Sequence, residues 1–143
     1  YPGGDVVPAG SATGTPDETT FRRLGRTDGP ALLDCPAGAT KAVAKPLAAA
    51  QSALVVSTPE RASLSDATKT ARMARALDTP VLGAVLTRVH SSEPPACPEL
   101  DELRRQCPVV GTVPEVDNPD VLACRAARAA YGSVADRLDE RNI

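Results

Sequence analysis

A chain of 143 residues, 42% of them hydrophobic, is long enough for one domain with one core and too apolar to stay disordered. No apolar run approaches the roughly 20 residues of a membrane-spanning helix. The balance of 16 basic against 18 acidic residues, net −2, gives no electrostatic case for a nucleic-acid or acidic membrane surface.

Aromatics make up only 2%, so the core must be built from small residues that let helices sit close on a sheet. The cysteines Cys35, Cys97, Cys107 and Cys124 show no C-x-x-C spacing, and the single histidine, His90, stands in no ligand spacing with them. A zinc site is therefore not expected, and the thiols read as reduced and cytoplasmic. The chain opens at Tyr1 and its only methionine is Met73, which sets the expectation of a single domain over residues 1–143, truncated at its N-terminal side.

In chain order, five short apolar runs recur at 5–8, 30–34, Ala53–Ser57, Val81–Val89 and 109–113. Each is nearly continuous in apolar character, as strands buried on both faces of a parallel sheet are. Helical patterns fall between them. Residues 15–26 form a weak candidate, and 41–50 is alanine-rich with Pro46 inside it. Segment 62–77 is the strongest, with Leu64, Ala67, Ala71, Ala74 and Leu77 on one stripe. Ser63 and Asp66 have the spacing of a capping box. Segment 98–107 is a short charged helix in which Asp101 can reach Arg104 or Arg105. Asn118-Pro119-Asp120 starts a last helix running toward Arg141, with a break expected near Gly132. The alternation predicts an α/β fold, an open and mostly parallel sheet with flanking helices.

Ligands of such sheets bind beyond the carboxyl ends of the strands. The segments there are Ala9-Gly10-Ser11, Asp34-Cys35-Pro36-Ala37-Gly38, Thr58-Pro59-Glu60, Thr87-Arg88 and Pro114-Glu115, all expected along one rim. Asp34, ending the run Ala31-Leu32-Leu33, is how nucleotide enzymes place a carboxylate near magnesium, usually through water. Pro36-Ala37-Gly38 turns the chain tightly, and Gly38 can bring backbone N–H groups near a phosphate.

Leu32-Leu33-Asp34-Cys35-Pro36-Ala37-Gly38 resembles the Walker B and switch segment, D-x-P-A-G, of the MinD/ParA family of P-loop ATPases. Val6-Val7-Pro8-Ala9-Gly10-Ser11 is similar to the preceding strand and turn of that family, and Val55-Val56-Ser57-Thr58-Pro59-Glu60 to its V-x-x-P-E strand end. Val85-Leu86-Thr87-Arg88-Val89 and Gly111-Thr112-Val113-Pro114-Glu115 resemble its last two strands. The resemblance implies a partial P-loop NTPase, Rossmann-like fold that binds ATP and Mg2+ when complete. It implies that Asp34 helps organise magnesium and the attacking water, and that Pro36, Ala37 and Gly38 sense the γ-phosphate. It places Thr87, Arg88, Pro114 and Glu115 around the purine base. It implies a homodimeric switch in the complete protein, acting in spatial organisation of cell division or in partitioning; the cargo stays open.

The phosphate-binding loop of that family is absent, since no G-x-x-x-x-G-K-[ST] or variant occurs in the 143 residues. Electrostatic stabilisation of that kind is usually the largest catalytic contribution, so the chain alone is expected not to hydrolyse ATP. Without the loop's strand the sheet is expected to expose apolar edges. Residues 134–143 balance their charges and carry few large apolar groups, a poor membrane anchor. An alternative is a loop-less, non-enzymatic adaptor that pairs with an active paralogue. A phosphoacceptor receiver domain fits poorly, because it needs an acidic pair after its first strand and a lysine after its last, whereas here Asp5 stands ahead of the apolar residues of the first run and Pro114-Glu115 follows the last.

Overall fold

The structure, a computed structural model, describes residues 31–90 and 96–140, together with Phe21 and Gly29. In order these form α1 (Lys41–Ala49), β1 (Ala53–Ser57), α2 (Arg61–Ala76), β2 (Val81–Val89), α3 (Pro98–Gln106), β3 (Val109–Pro114), a 3-10 turn (Val121–Ala123) and α4 (Arg125–Asp139). Both strand pairings are parallel, in the order β1-β2-β3. This is the open α/β sheet expected, with both crossover helices, α2 and α3, on one face of the sheet.

Burial explains the layering. Val55 of β1 and Ala84 and Leu86 of β2 face α2 and α3, packing with Leu64, Ala67, Ala71, Leu100, Leu103 and Cys107. Val85 of β2 and Val110 and Val113 of β3 face the other way, onto Ala127 and Val134 of α4. β2 is therefore covered on both faces and its residues 83–86 are all buried, as a continuous apolar run requires. Alanines at the α2 contact let the helix backbone approach the sheet, which is how so few aromatics suffice. α1 closes the amino-terminal side, with Val43 and Leu47 against Ala74, Ala53 and Val81. Thr79 ties in the same corner by donating to the Leu47 carbonyl at 2.8 Å. Arg72 of α2 pairs with Glu102 of α3, whose carboxyl is held below the usual carboxylate range, first by a hydrogen bond from Arg105 and then by the charges of Arg105 and Arg72.

Five local expectations are corrected. β1 is not buried on both faces: Leu54 is 37% and Val56 62% exposed, because α4 covers β2 and β3 but does not extend to β1. Residues 31–34 form no strand, and Leu32 is 98% exposed; none of the described strands offers this segment a hydrogen-bonded neighbour. The capping box does not form, since the cap residue of α2 is Glu60 and Ser63 already lies inside the helix, while Asp66 pairs with Lys69 at 2.8 Å. Helix α4 runs unbroken through Gly132. The interruption comes earlier, where Asn118 Oδ1 accepts from the Asp120 N–H and Asp120 Oδ1 from the Leu122 N–H, which launches a 3-10 turn first. Leu77, expected on the buried stripe, caps α2 and is 37% exposed. The strand expected at 5–8 and the helix at 15–26 lie outside the described residues, apart from Phe21.

Candidate nucleotide-base site

Parallel register brings three of the expected turns to one edge, the carboxyl ends of β1, β2 and β3. At β1, Ser57 is buried, and its hydroxyl lies 2.9 Å from that of Ser63 and donates to the Thr58 carbonyl at 2.9 Å. Ser63 Oγ also accepts from the Thr58 N–H at 3.1 Å. A side chain in the first turn of α2 thereby fixes the turn that leaves β1. Thr87 of β2 donates from Oγ1 to the Ser57 carbonyl at 3.4 Å, which joins the ends of these two strands.

Between β2 and β3 the register slips twice, first between Ala84 and Val85, where Val109 is followed by Gly111 and β3 carries the extra residue, and then in the opposite sense. Leu86 pairs with Thr112 and Val89 with Pro114. Three steps along β2 (86 to 89) thus match two along β3 (112 to 114), so β2 carries one extra residue. This is a bulge, the device that re-aims side chains at strand ends. Its backbone signature is Arg88, held at φ 55° in the left-handed region, where a non-glycine residue is uncommon and strained. The Arg88 side chain is exposed at the rim. Beyond the bulge the strands rejoin, and the Glu115 N–H donates to the Val89 carbonyl at 3.1 Å. His90 Nε2 then meets Glu115 Oε2 at 2.8 Å.

Thr87, Arg88, Pro114 and Glu115 are therefore neighbours on one rim. Asp34 is exposed, just before Pro36-Ala37-Gly38. Gly38 has φ 86°, a value that favours glycine, and the Thr40 N–H donates to its carbonyl at 3.1 Å, so a tight turn does follow Asp34 and leads into α1. Burial, aided by the Asp34 charge, pushes the Cys35 thiol above its ordinary range. Among the described residues no hydrogen bond or ion pair joins Asp34 or the Pro36–Gly38 turn to the Thr87–Glu115 cluster. The described side chains fit a purine better than a metal. The rim supplies a hydroxyl, a guanidinium and a backbone turn, whereas no group of three or more His, Cys, Asp or Glu among them gathers to hold an ion. Asp34 offers a single carboxylate, which suits magnesium that keeps its waters and is shared with phosphates.

Sequence reasoning gave His90 no role at the site and Ser63 only a capping role. His90 and Glu115 lie 25 positions apart, and no spacing rule links residues across a parallel crossover.

No family model matches the chain. It is 34% identical over 84 residues to an uncharacterized ATP-binding protein of Methanocaldococcus jannaschii, covering 59% of this chain and 32% of that protein. Its fold is similar to the cell division ATPase MinD of Pyrococcus furiosus, with TM-score 0.59 and 23% identity, covering 75% of this chain and 50% of that one. It is also similar to the septum site-determining protein MinD of Pyrococcus horikoshii, solved with Mg-ADP, with TM-score 0.67 and 19% identity over 88% of this chain and 58% of that one. The chain thus spans about a third of the curated relative and 50% to 58% of the two solved structures. Sheet order and these similarities show that, over the part it spans, the chain shares the α/β fold of the two MinD structures.

Proposed function

We propose that this chain supplies the purine-binding rim and the switch segment of a MinD-like ATP-binding protein that acts in the cytoplasm as a nucleotide-timed, homodimeric switch in cell division or partitioning. The observation that carries it is the junction of Thr87-Arg88 with Pro114-Glu115 at the carboxyl edge of a parallel sheet, joined by the Thr87–Ser57 and Glu115–Val89 hydrogen bonds. Arg88 can lie along a purine face, where a guanidinium stacks well. Thr87 Oγ1 spends its proton on the Ser57 carbonyl and keeps lone pairs for an amino group. The turn at Pro114-Glu115 closes the pocket from the β3 side. Asp34 would hold magnesium through water, and Pro36, Ala37 and Gly38 would respond to the terminal phosphate. Magnesium, when bound, supplies charge neutralisation at the phosphates.

These residues bind and orient; the 143-residue sequence contains no lysine-bearing phosphate loop. The purified chain should therefore bind adenosine weakly and show no Mg2+-dependent ATP turnover above buffer in a phosphate-release assay. Turnover by the chain alone would defeat this reading of the missing loop. The same sequence fact favours a second reading, a loop-less adaptor that pairs with an active paralogue. Recovery of turnover on mixing the chain with such a paralogue, but not with its own copies, would select that reading.

A further inference from the structure

The pairing of His90 with Glu115 depends on the second slip, which undoes the first. Were β2 and β3 in step after Leu86 and Thr112, Val89 would stand beside Glu115 and His90 one residue further on. The extra residue in β2 places Val89 beside Pro114 instead, and so sets His90 abreast of Glu115. The second slip therefore accompanies the left-handed Arg88, at φ 55°, and restores the Ala84–Val109 offset at which His90 Nε2 meets Glu115 Oε2 at 2.8 Å. The pair is exposed, with His90 at 78% and Glu115 at 40%, and a free-standing surface pair of this kind contributes little. Here the two backbones are already joined one residue away by the Glu115 N–H to Val89 carbonyl bond of 3.1 Å, so little further chain entropy is lost in forming it.

We propose that His90 is a positioning residue for a purine nucleoside: paired with Glu115, it clasps the turn after β3 to the end of β2 and holds the Pro114–Glu115 backbone at a set distance from Thr87 and Arg88. The inference rests on the base-pocket reading above. It adds a residue that touches no ligand and acts through Glu115.

The test is adenosine titration of the purified chain, followed by amide NMR shifts, for wild type, His90→Leu, His90→Lys, Glu115→Gln and the double variant His90→Leu/Glu115→Gln. A urea unfolding curve for each keeps folding separate. The expected result is affinity about two- to fivefold weaker in His90→Leu, the range a surface ion pair can supply. His90→Lys, which keeps an N–H donor for Glu115, should return close to wild type. The double variant should be no weaker than the worse single variant, and the urea midpoints should agree. Wild-type affinity in His90→Leu overturns the clasp and leaves the pocket standing, as does additivity in the double variant or failure of His90→Lys to rescue. Absence of adenosine-dependent shifts at Thr87 and Arg88 in the wild type overturns both the pocket and the clasp.

Discussion

Arg88 is held at φ 55° by the bulge in β2, so two substitutions there should separate backbone strain from side-chain function. Arg88→Ala removes the guanidinium but keeps a Cβ in a left-handed conformation, which costs about 1–2 kcal/mol for an L-residue. Arg88→Gly removes that strain and adds about 0.4–1 kcal/mol of unfolded-chain entropy to be lost on folding. The difference leaves the glycine variant more stable than the alanine variant by roughly 0.5–1 kcal/mol. The exposed side chain contributes little packing to offset this. With a urea slope of about 2 kcal/mol/M, the midpoints should differ by about 0.25–0.5 M, at equal slope. Adenosine affinity should fall in both variants alike, because both lose the guanidinium. Stability and binding therefore move independently. A glycine variant less stable than the alanine variant would refute the strained bulge, and unchanged adenosine affinity in both would remove Arg88 from the pocket.

Three further outcomes are expected. A Cβ at Gly111 would lie 2.3 Å from Val134 Cγ2, and a helical valine has little rotamer freedom, so Gly111→Ala should destabilise by about 1–3 kcal/mol in urea unfolding. Part of that loss should return in Gly111→Ala/Val134→Ala, and no recovery would place the clash elsewhere. Burial pushes the Cys107 thiol above its ordinary range, opposed in part by Arg75. A raised folded value means its contribution is fully present below the unfolded thiol pKa of about 8.5 and is lost as pH climbs through the folded value. Thermal melts should show an alkaline decline that shrinks in Cys107→Ala, and an identical decline in both proteins would contradict it. The open face of β1, with Val56 at 62% and Leu54 at 37% exposure, should drive concentration-dependent association. Val56→Lys should reduce it in sedimentation velocity, and unchanged association would shift the cause away from this face.

How far the fold could be read ahead depended on whether the deciding contacts were local. Val81–Val89 was legible because a β-branched, continuous apolar run has one stable home, a central strand covered on both faces. The α2 stripe was legible because Leu64, Ala67, Ala71 and Ala74 recur at helical spacing and all are buried. The β1 run looked the same as β2 in composition, yet one of its faces stays open, since burial depends on where α4 ends and not on the strand's own residues. Leu32 and Leu33 read as a strand, but a strand exists only with a hydrogen-bonded neighbour. The Ser63 spacing suggested a cap, while Pro59 and Glu60 had already started the helix.

From residue order alone came the α/β class, the parallel crossover pattern, the run of Asp34 to Gly38 with its glycine turn, and the choice of Thr87, Arg88, Pro114 and Glu115 as rim residues. These depend on periodicity and on the conformational limits of single residues, which are properties of neighbouring positions. Tertiary structure alone decided the two opposed slips between β2 and β3, the left-handed Arg88, the Thr87–Ser57 bond and the facing of His90 with Glu115. Those depend on how two strands, separated by a whole crossover helix, happen to register, and register is set by packing summed over the sheet.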